Sequence, residues 1–251
     1  RNLTDIVLPD SVESIADAEI CIRLRAAQRN LTVFPADSLY AVEHDSMDTT
    51  FRSMYYGLWA FVNANAERKS LLTGKASPEF DAPYDAKIAH SIDDFERVAL
   101  KAIAARDYFL LVGPPGTGKT SRALKKMVEM FHSNPDNQIL LLAYTNRAVD
   151  EICQTLSSIE PVLDYIRMGS ELACDVRYRE HLLENVLMAC ETRQEVLQRM
   201  AACRVYVGTV ATLSSKSDLF KLKHFDVAII DEATQILEPQ LLPILCAKNP
   251  D

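Results

Sequence analysis

Three of the chain's seven glycines lie between positions 113 and 118, and that crowding constrains the fold more than any other feature of its 251 residues. An apolar run, Tyr108-Phe109-Leu110-Leu111-Val112, leads into Gly113-Pro114-Pro115-Gly116-Thr117-Gly118-Lys119-Thr120-Ser121. Behind it Leu124, Met127, Val128 and Phe131 recur at the i, i+3, i+4, i+7 spacing of one helix face. The order predicts strand, glycine loop, helix. The spacing fits G-x-x-x-x-G-K-[ST], in which glycines let the backbone curl until successive N–H groups and a helix N-terminus face the phosphates of a nucleotide. Residues Gly113 to Ser121 are then expected to line the phosphates, with Lys119 reaching the β and γ groups and the Thr120 hydroxyl offered to Mg²⁺. An incidental glycine-rich turn is the alternative reading.

Such a loop needs acidic groups at the end of another strand to hold the metal ion and orient water. Phe225-Asp226-Val227-Ala228-Ile229-Ile230 is an apolar strand of the kind buried on both faces, and it runs into Asp231-Glu232-Ala233-Thr234-Gln235. Asp231 is expected to serve the Mg²⁺, and Glu232 to accept a proton from, or orient, the attacking water. Without the glycine loop the same residues read as a solvated acidic turn.

Between the two motifs the chain alternates apolar strands with periodic helices, which predicts an α/β fold with a parallel sheet. Ile139–Ala143 is a buried strand, followed by a helix with Val149, Ile152, Cys153 and Leu156 on one face. Tyr165–Met168 and Val205–Val207 read as two more strands, separated by a long helical region from about Arg177 to Met200. Ligands of such sheets gather at the carboxyl ends of the strands, so Thr145, Asn146, Gly208, Thr209 and Asp231 should share one edge with the glycine loop. Each of these polar residues alone also reads as a turn or a helix cap.

The first ninety residues differ in character. Ile20, Ile22 and Leu24 alternate with polar residues as a half-exposed strand, and Leu39–Glu43 reads as a second. Phe51, Met54, Tyr55, Leu58 and Val62 form an apolar helix face, and Tyr55, Tyr56, Trp59 and Phe61 are assigned to the core rather than to base stacking. Ala76–Lys87 reads as a linker, and Ser91 with Asp94 as a capping box before a helix carrying Phe95, Val98, Ala99 and Ala102. The expected division is a β-rich accessory domain over 1–90, with a stalk helix and linker, and a nucleotide-binding domain over 91–251.

A net charge of −8 excludes indiscriminate phosphate-backbone binding over the whole surface and leaves room only for a local nucleic-acid groove. The six cysteines form no C-x-x-C pair and the five histidines stand singly, so reduced core thiols are expected and no metal cluster. No apolar run reaches the ~18 residues of a membrane span, and no signal peptide is evident, so the chain reads as soluble and intracellular, cytoplasmic or nuclear by organism. Its first residue, Arg1, and its ending at Pro250-Asp251 suggest a piece of a longer protein.

GPPGTGKT at 113–120, AYTNRAVDEI at 143–152, VGTVATL at 207–213 and DEATQ at 231–235 together resemble a superfamily 1 helicase of the type B branch. Residues 30–39, 68–80 and Arg106-Asp107-Tyr108 resemble more closely the helicase half of the DNA replication helicase/nuclease family. The resemblance implies a RecA-like P-loop NTPase sheet beside a small barrel and stalk, in an ATP- and Mg²⁺-dependent motor that moves 5′ to 3′ on single-stranded DNA. It implies that Thr145, Asn146 and Thr209 touch the strand's backbone, and that Gln235 reports the γ-phosphate state.

Two departures stand out. Where that family carries a Gln that reads adenine, this chain has Phe95, and no Gln occurs between Gln28 and Gln138. The family's Gly-Asp-x-x-Gln-Leu motif and its second motor domain with arginine fingers are absent, and a missing finger costs about 10³ to 10⁵ in turnover. The expected behaviour of these residues alone is nucleotide binding with little hydrolysis and no unwinding. Other readings are a P-loop ATPase or nucleotide-gated interaction module of another class, an RNA helicase of the same superfamily, or a purely protein-binding role for the N-terminal unit.

Overall fold

The computed structural model describes residues 9–16, 19–24, 49–81, 85–91, 93–114, 116–216 and 219–247, with backbone alone at 9–16, 19–24, 49–52, 86 and 215. The chain divides into two units, Arg1–Met47 and Asp48–Asp251. In the first, β1 (Pro9–Ala16) pairs antiparallel with β2 (Glu19–Leu24). The alternation of Ile20, Ile22 and Leu24 marks β2, whereas β1 carries no comparable pattern and the sequence reading missed it. The strand expected at Leu39–Glu43 lies outside the described residues.

The second unit opens with α1 (Thr49–Asn63), α2 (Ala66–Leu72), α3 (Asp85–His90) and α4 (Asp94–Ala104). The helix expected to be a stalk of an accessory domain therefore falls in the same unit as the nucleotide-binding segment. Its buried face is not the one its bulky residues suggested: Tyr55, Leu58, Trp59 and Val62 are 71, 46, 62 and 66% exposed, while Gly57 is buried. The smallest residue marks the contact because it lets two backbones meet. The segment expected to be a linker is partly tied down, since Phe80 bridges to Ala105 and Arg106 pairs with Glu79 and Asp81 at 3.2 and 2.5 Å. The cap of α4 is Asp93, which accepts from the Phe95 N–H, while the Ser91 hydroxyl bonds the Glu96 carboxylate instead.

A π-helical turn over Lys119–Leu124 runs into α5 (Lys125–His132), and the chain then forms β3 (Ile139–Ala143) and α6 (Asn146–Leu156). β4 (Tyr165–Met168) follows, then α7 (Leu183–Leu187), α8 (Arg193–Ala202), β5 (Val205–Thr209), α9 (Val210–Ser215), α10 (Leu219–Leu222), β6 (Val227–Ile230) and α11 (Glu238–Leu245). The helical region expected from about Arg177 to Met200 comes as three pieces, a 3₁₀ helix over Val176–His181, α7 and α8, divided where Leu182 is extended at ψ 137° and where Thr192 caps α8. All four strands are parallel, in the order β4-β5-β3-β6. Apolar runs such as Ile139-Leu140-Leu141-Leu142-Ala143 suit strands covered on both sides, and every residue of β3 is fully buried. On one side the sheet packs Leu124, Val128, Val149, Ile152 and Leu156; on the other it packs Met200, Val210 and Leu213.

The strand expected at Tyr108–Val112 is not formed. Among the described residues β6 pairs only with β3, and 108–112 does not join its open edge. Leu110 and Val112 are 76 and 92% exposed. A cavity of about 560 Å³ lies there, lined by Phe109, Leu110, Ala228, Ile230, Leu241 and Ile244 among others.

Candidate nucleotide-binding site

Parallel pairing brings the carboxyl ends of three strands level. Ala143 lies opposite Thr209, and Leu142 opposite Ile230, so Thr145, Thr209 and Asp231 share one edge of the sheet. The glycine loop reaches the same edge. Gly116 and Gly118 take left-handed φ values of 78° and 82°, which L side chains rarely adopt, and these two residues turn the loop into the following helix. The π-helical turn is closed by Arg122 and Ala123 N–H groups that both donate to the Gly118 carbonyl at 2.9 Å. Insertions of this kind recur at functional sites. A helix start leaves its first N–H groups without intrahelical partners, which is the chemistry an anion needs. Pro115 lies outside the described residues.

The closest link between loop and acids is a hydrogen bond from the Thr120 hydroxyl to Asp231 Oδ2 at 2.5 Å, spanning 111 positions. Asp231 Oδ1 accepts from the Glu232 N–H at 2.9 Å. That second bond supports Glu232 in a left-handed conformation at φ 51°, which costs a non-glycine residue about 1–2 kcal/mol. The exposed Glu232 carboxylate accepts from Gln235 Nε2 at 2.8 Å, so the two sit as one unit on the turn after β6.

Lys119 is folded onto its own loop. Its ammonium donates to the Gly113 and Pro114 carbonyls at 2.6 and 2.9 Å, and Thr117 Oγ1 donates to the same Pro114 carbonyl at 2.8 Å. Exchanging neutral carbonyls for phosphate oxygens gives hydrogen bonds between two charged partners, which are shorter and stronger. The donor set also suits Mg²⁺, which prefers hard oxygen ligands such as the Thr120 hydroxyl and the Asp231 carboxylate. Space is available too, since a Cβ built at Gly116 meets nothing within 4 Å. Nucleotide and metal ion therefore fit the residues present.

The expected nucleic-acid residues divide. Thr145 and Asn146 are exposed at the start of α6, where the Thr145 hydroxyl oxygen caps the helix by accepting from the Ala148 N–H at 3.1 Å. Thr209 is only 6% exposed, and its hydroxyl is spent on the Thr212 N–H and hydroxyl at 3.1 and 2.8 Å, capping α9. Sequence reasoning overlooked Arg167. This guanidinium is 1% exposed in β4, pairs with Asp150 at 3.0 Å and donates to the Ala173 carbonyl at 3.2 Å. It ties α6 to the strand beneath it. No periodicity announces a charge inside a strand of four residues. On the buried face of α6, burial pushes the Cys153 thiol up to about 12, against the opposing pull of Arg167. The described cysteines are all free, and Cys153, Cys174 and Cys203 are buried. Among the described residues no cluster of three or more His, Cys, Asp and Glu side chains is placed to hold a metal ion, and no helix is long and apolar enough to cross a membrane.

Residues 91–204 match the AAA domain family. The DNA replication ATP-dependent helicase/nuclease JHS1 of Arabidopsis thaliana is 30% identical over 223 residues, covering 84% of this chain and 16% of that protein. The DNA replication ATP-dependent helicase/nuclease DNA2 of Homo sapiens is 24% identical over 227 residues, covering 84% and 21%. The RNA helicase Mov10l1 of Homo sapiens is 28% identical over 160 residues, covering 60% and 13%. The chain thus resembles helicases of superfamily 1, and it spans less than a quarter of the length of these curated relatives.

Proposed function

We propose that this chain, similar over most of its length to the DNA replication helicase/nucleases, is the RecA-like first motor domain of an ATP-dependent helicase that moves 5′ to 3′ on single-stranded DNA. Its N-terminal unit is the accessory element, its partner is a second motor domain in the rest of the protein, and it works inside the cell. The observation that carries the proposal is the contact between Thr120 and Asp231, which joins the loop and the acids across the chain.

In this reading the amides of Gly116, Thr117 and Gly118, the two prolines having no N–H to give, and the N–H groups at the start of the π-helical turn hold the phosphates. Lys119 leaves its two carbonyls for the β and γ phosphates, while Thr120 and Asp231 hold Mg²⁺. Held there by Thr120 and Asp231, the ion would supply positive charge to offset that of the phosphates. Glu232 accepts the proton of the attacking water. Gln235, bonded to Glu232, passes the state of the terminal phosphate to the rest of the motor. Thr145 and Asn146 face the nucleic-acid backbone; Thr209, buried, shapes that edge by capping α9.

Calorimetry with Mg-ATP tests the assignment. Lys119→Ala should lose most affinity, whereas Glu232→Gln should keep it, because Glu232 acts on water rather than on phosphate. Equal loss in both variants would refute the separate roles. Competition between single-stranded DNA and RNA of one sequence decides the polymer, and a preference for RNA would move the chain to the class of the RNA helicase relative.

A further inference from the structure

Arg167 is the one charged residue of the four in β4, and it is enclosed there. Burying a guanidinium is costly, and an apolar pair of similar volume is often as stable as a buried ion pair, or more so. Two of its nitrogens, Nε and Nη1, are buried without a partner among the described residues, which raises the cost further. Core stability therefore does not account for the charge. Its contacts instead join separate segments at one nitrogen. Nη2 pairs with Asp150 Oδ1 in the second turn of α6 at 3.0 Å, donates to the Ala173 carbonyl after β4 at 3.2 Å, and approaches the Asn146 carbonyl in the first turn of α6 at 3.5 Å. Asp150 Oδ1 also accepts from the Asp175 N–H at 3.4 Å. The main chain of Arg167 bridges in parallel to Leu182, and Glu171 pairs with Arg179 at 2.7 Å. Residues 171–182 thus form a strap along β4 and α6, pinned to both by Arg167 and Asp150.

The other contacts of α6 with the core are apolar, through Val149, Ile152, Cys153 and Leu156, and apolar burial has no preferred direction. It leaves the helix free to slide or turn slightly, whereas a charged hydrogen bond has one geometry. An α-helix turns about 100° per residue, so a small slip carries its first-turn side chains away from whatever they face. Thr145 and Asn146, both exposed, stand at that turn. We infer that the Arg167–Asp150 pair is a positioning device for nucleic acid, holding the start of α6 in the register at which Thr145 and Asn146 meet the strand's backbone. Fixing register is the use of a buried polar pair that its cost permits. Arg167 itself touches no phosphate, because it lies enclosed beneath α6. The inference rests on the nucleic-acid reading of Thr145 and Asn146 above.

The test follows a labelled single-stranded oligodeoxythymidine by fluorescence anisotropy, Mg-ATP by calorimetry and unfolding by urea, all on the 251-residue chain. The double variant Arg167→Met, Asp150→Leu replaces the pair by apolar groups and should match or exceed the wild-type urea midpoint. Its Mg-ATP affinity should be unchanged, while strand binding weakens by about tenfold, the scale of one hydrogen bond to a charged group. Arg167→Lys keeps the charge without the fork and should weaken strand binding by about threefold. The salt dependence should stay the same in both variants, since a side chain that touches no phosphate releases no counterion. Wild-type strand affinity in the double variant, or in Arg167→Lys should the double variant not fold, would overturn the inference and leave Arg167 a packing residue. So would a salt slope about one unit shallower, which places Arg167 on phosphate, or an equal loss of Mg-ATP affinity, which marks general damage. A wild-type chain that binds no strand would sink the nucleic-acid reading itself and this inference with it.

Discussion

Gly57→Ala adds a single methyl group, and two opposing effects of known size act on it. In α1 the substitution favours folding, because alanine is the better helix former by about 1 kcal/mol. Against that, the new Cβ would lie 1.8 Å from the Pro239 carbonyl oxygen, 3.0 Å from the Pro239 carbonyl carbon and 3.2 Å from Pro243 Cδ. A carbon and a carbonyl oxygen normally approach no closer than about 3.3 Å, so α1 and α11 have to part by about 1.5 Å. The atoms struck are main chain and ring, which cannot rotate aside. Overpacking costs typically about 1–3 kcal/mol, and a backbone collision belongs at the upper end. The net is a destabilisation of about 2 kcal/mol, or roughly 4–8 °C in midpoint for a chain of this size. Thermal and urea unfolding followed by circular dichroism measure it. A variant as stable as wild type, or more so, would show that propensity wins and that α1 does not rest on α11 through Gly57.

Three further outcomes follow from named contacts. Thr145→Ala removes the cap of α6 and should lower stability by about 1 kcal/mol, while Thr145→Ser restores it; if Thr145 also faces nucleic acid, strand affinity should recover with the same serine. Cys153, Cys174 and Cys203 should resist a thiol reagent in native protein while the half-buried Cys190 and Cys246 react, and labelling of Cys153 at the rate of Cys190 would contradict its burial. Burial raises the Cys153 and Cys203 thiols from near 9 to about 12 and about 11. Folded protein then keeps those protons longer than unfolded protein, so their contribution is complete below about pH 9 and declines as pH rises toward 11 and 12. Unfolding midpoints from pH 8 to 10 should fall less steeply in the double Cys153→Ala, Cys203→Ala variant.

The parallel sheet was legible because strands covered on both faces are mostly apolar, as the fully buried β3 and β5 are. β4 departs from that rule at Arg167, and β6, though apolar, is only partly buried, with Ala228 exposed. The faces of α5 and α6 were legible for a related reason: Val128, Val149, Ile152 and Leu156 recur at helical spacing and all are fully buried. An apolar run states what seeks burial but not whether a ladder forms, and so Tyr108–Val112 reads as a strand without pairing with the open edge of β6. In α1 the bulky residues carried the pattern while Gly57 made the contact, because close approach rewards a missing side chain. The polar edge was readable from strand order, yet the same hydroxyl can cap a helix or face a ligand. Only burial separates Thr209, enclosed, from Thr145, exposed. Arg167 left no trace in periodicity, since its partners lie outside β4: Asp150 on α6, and the Ala173 carbonyl in the 3₁₀ turn that follows the strand.

The central claim is that one metal-bridged nucleotide is held jointly by the loop and by Asp231. Calorimetric titration of ADP into wild type and Asp231→Asn, each with and without Mg²⁺, tests it most directly. Magnesium should tighten binding to wild type and have little effect on the variant, while metal-free affinity stays equal in the two. An Asp231→Asn protein that gains as much from magnesium as wild type does, or a wild type that gives no heat, would contradict the account.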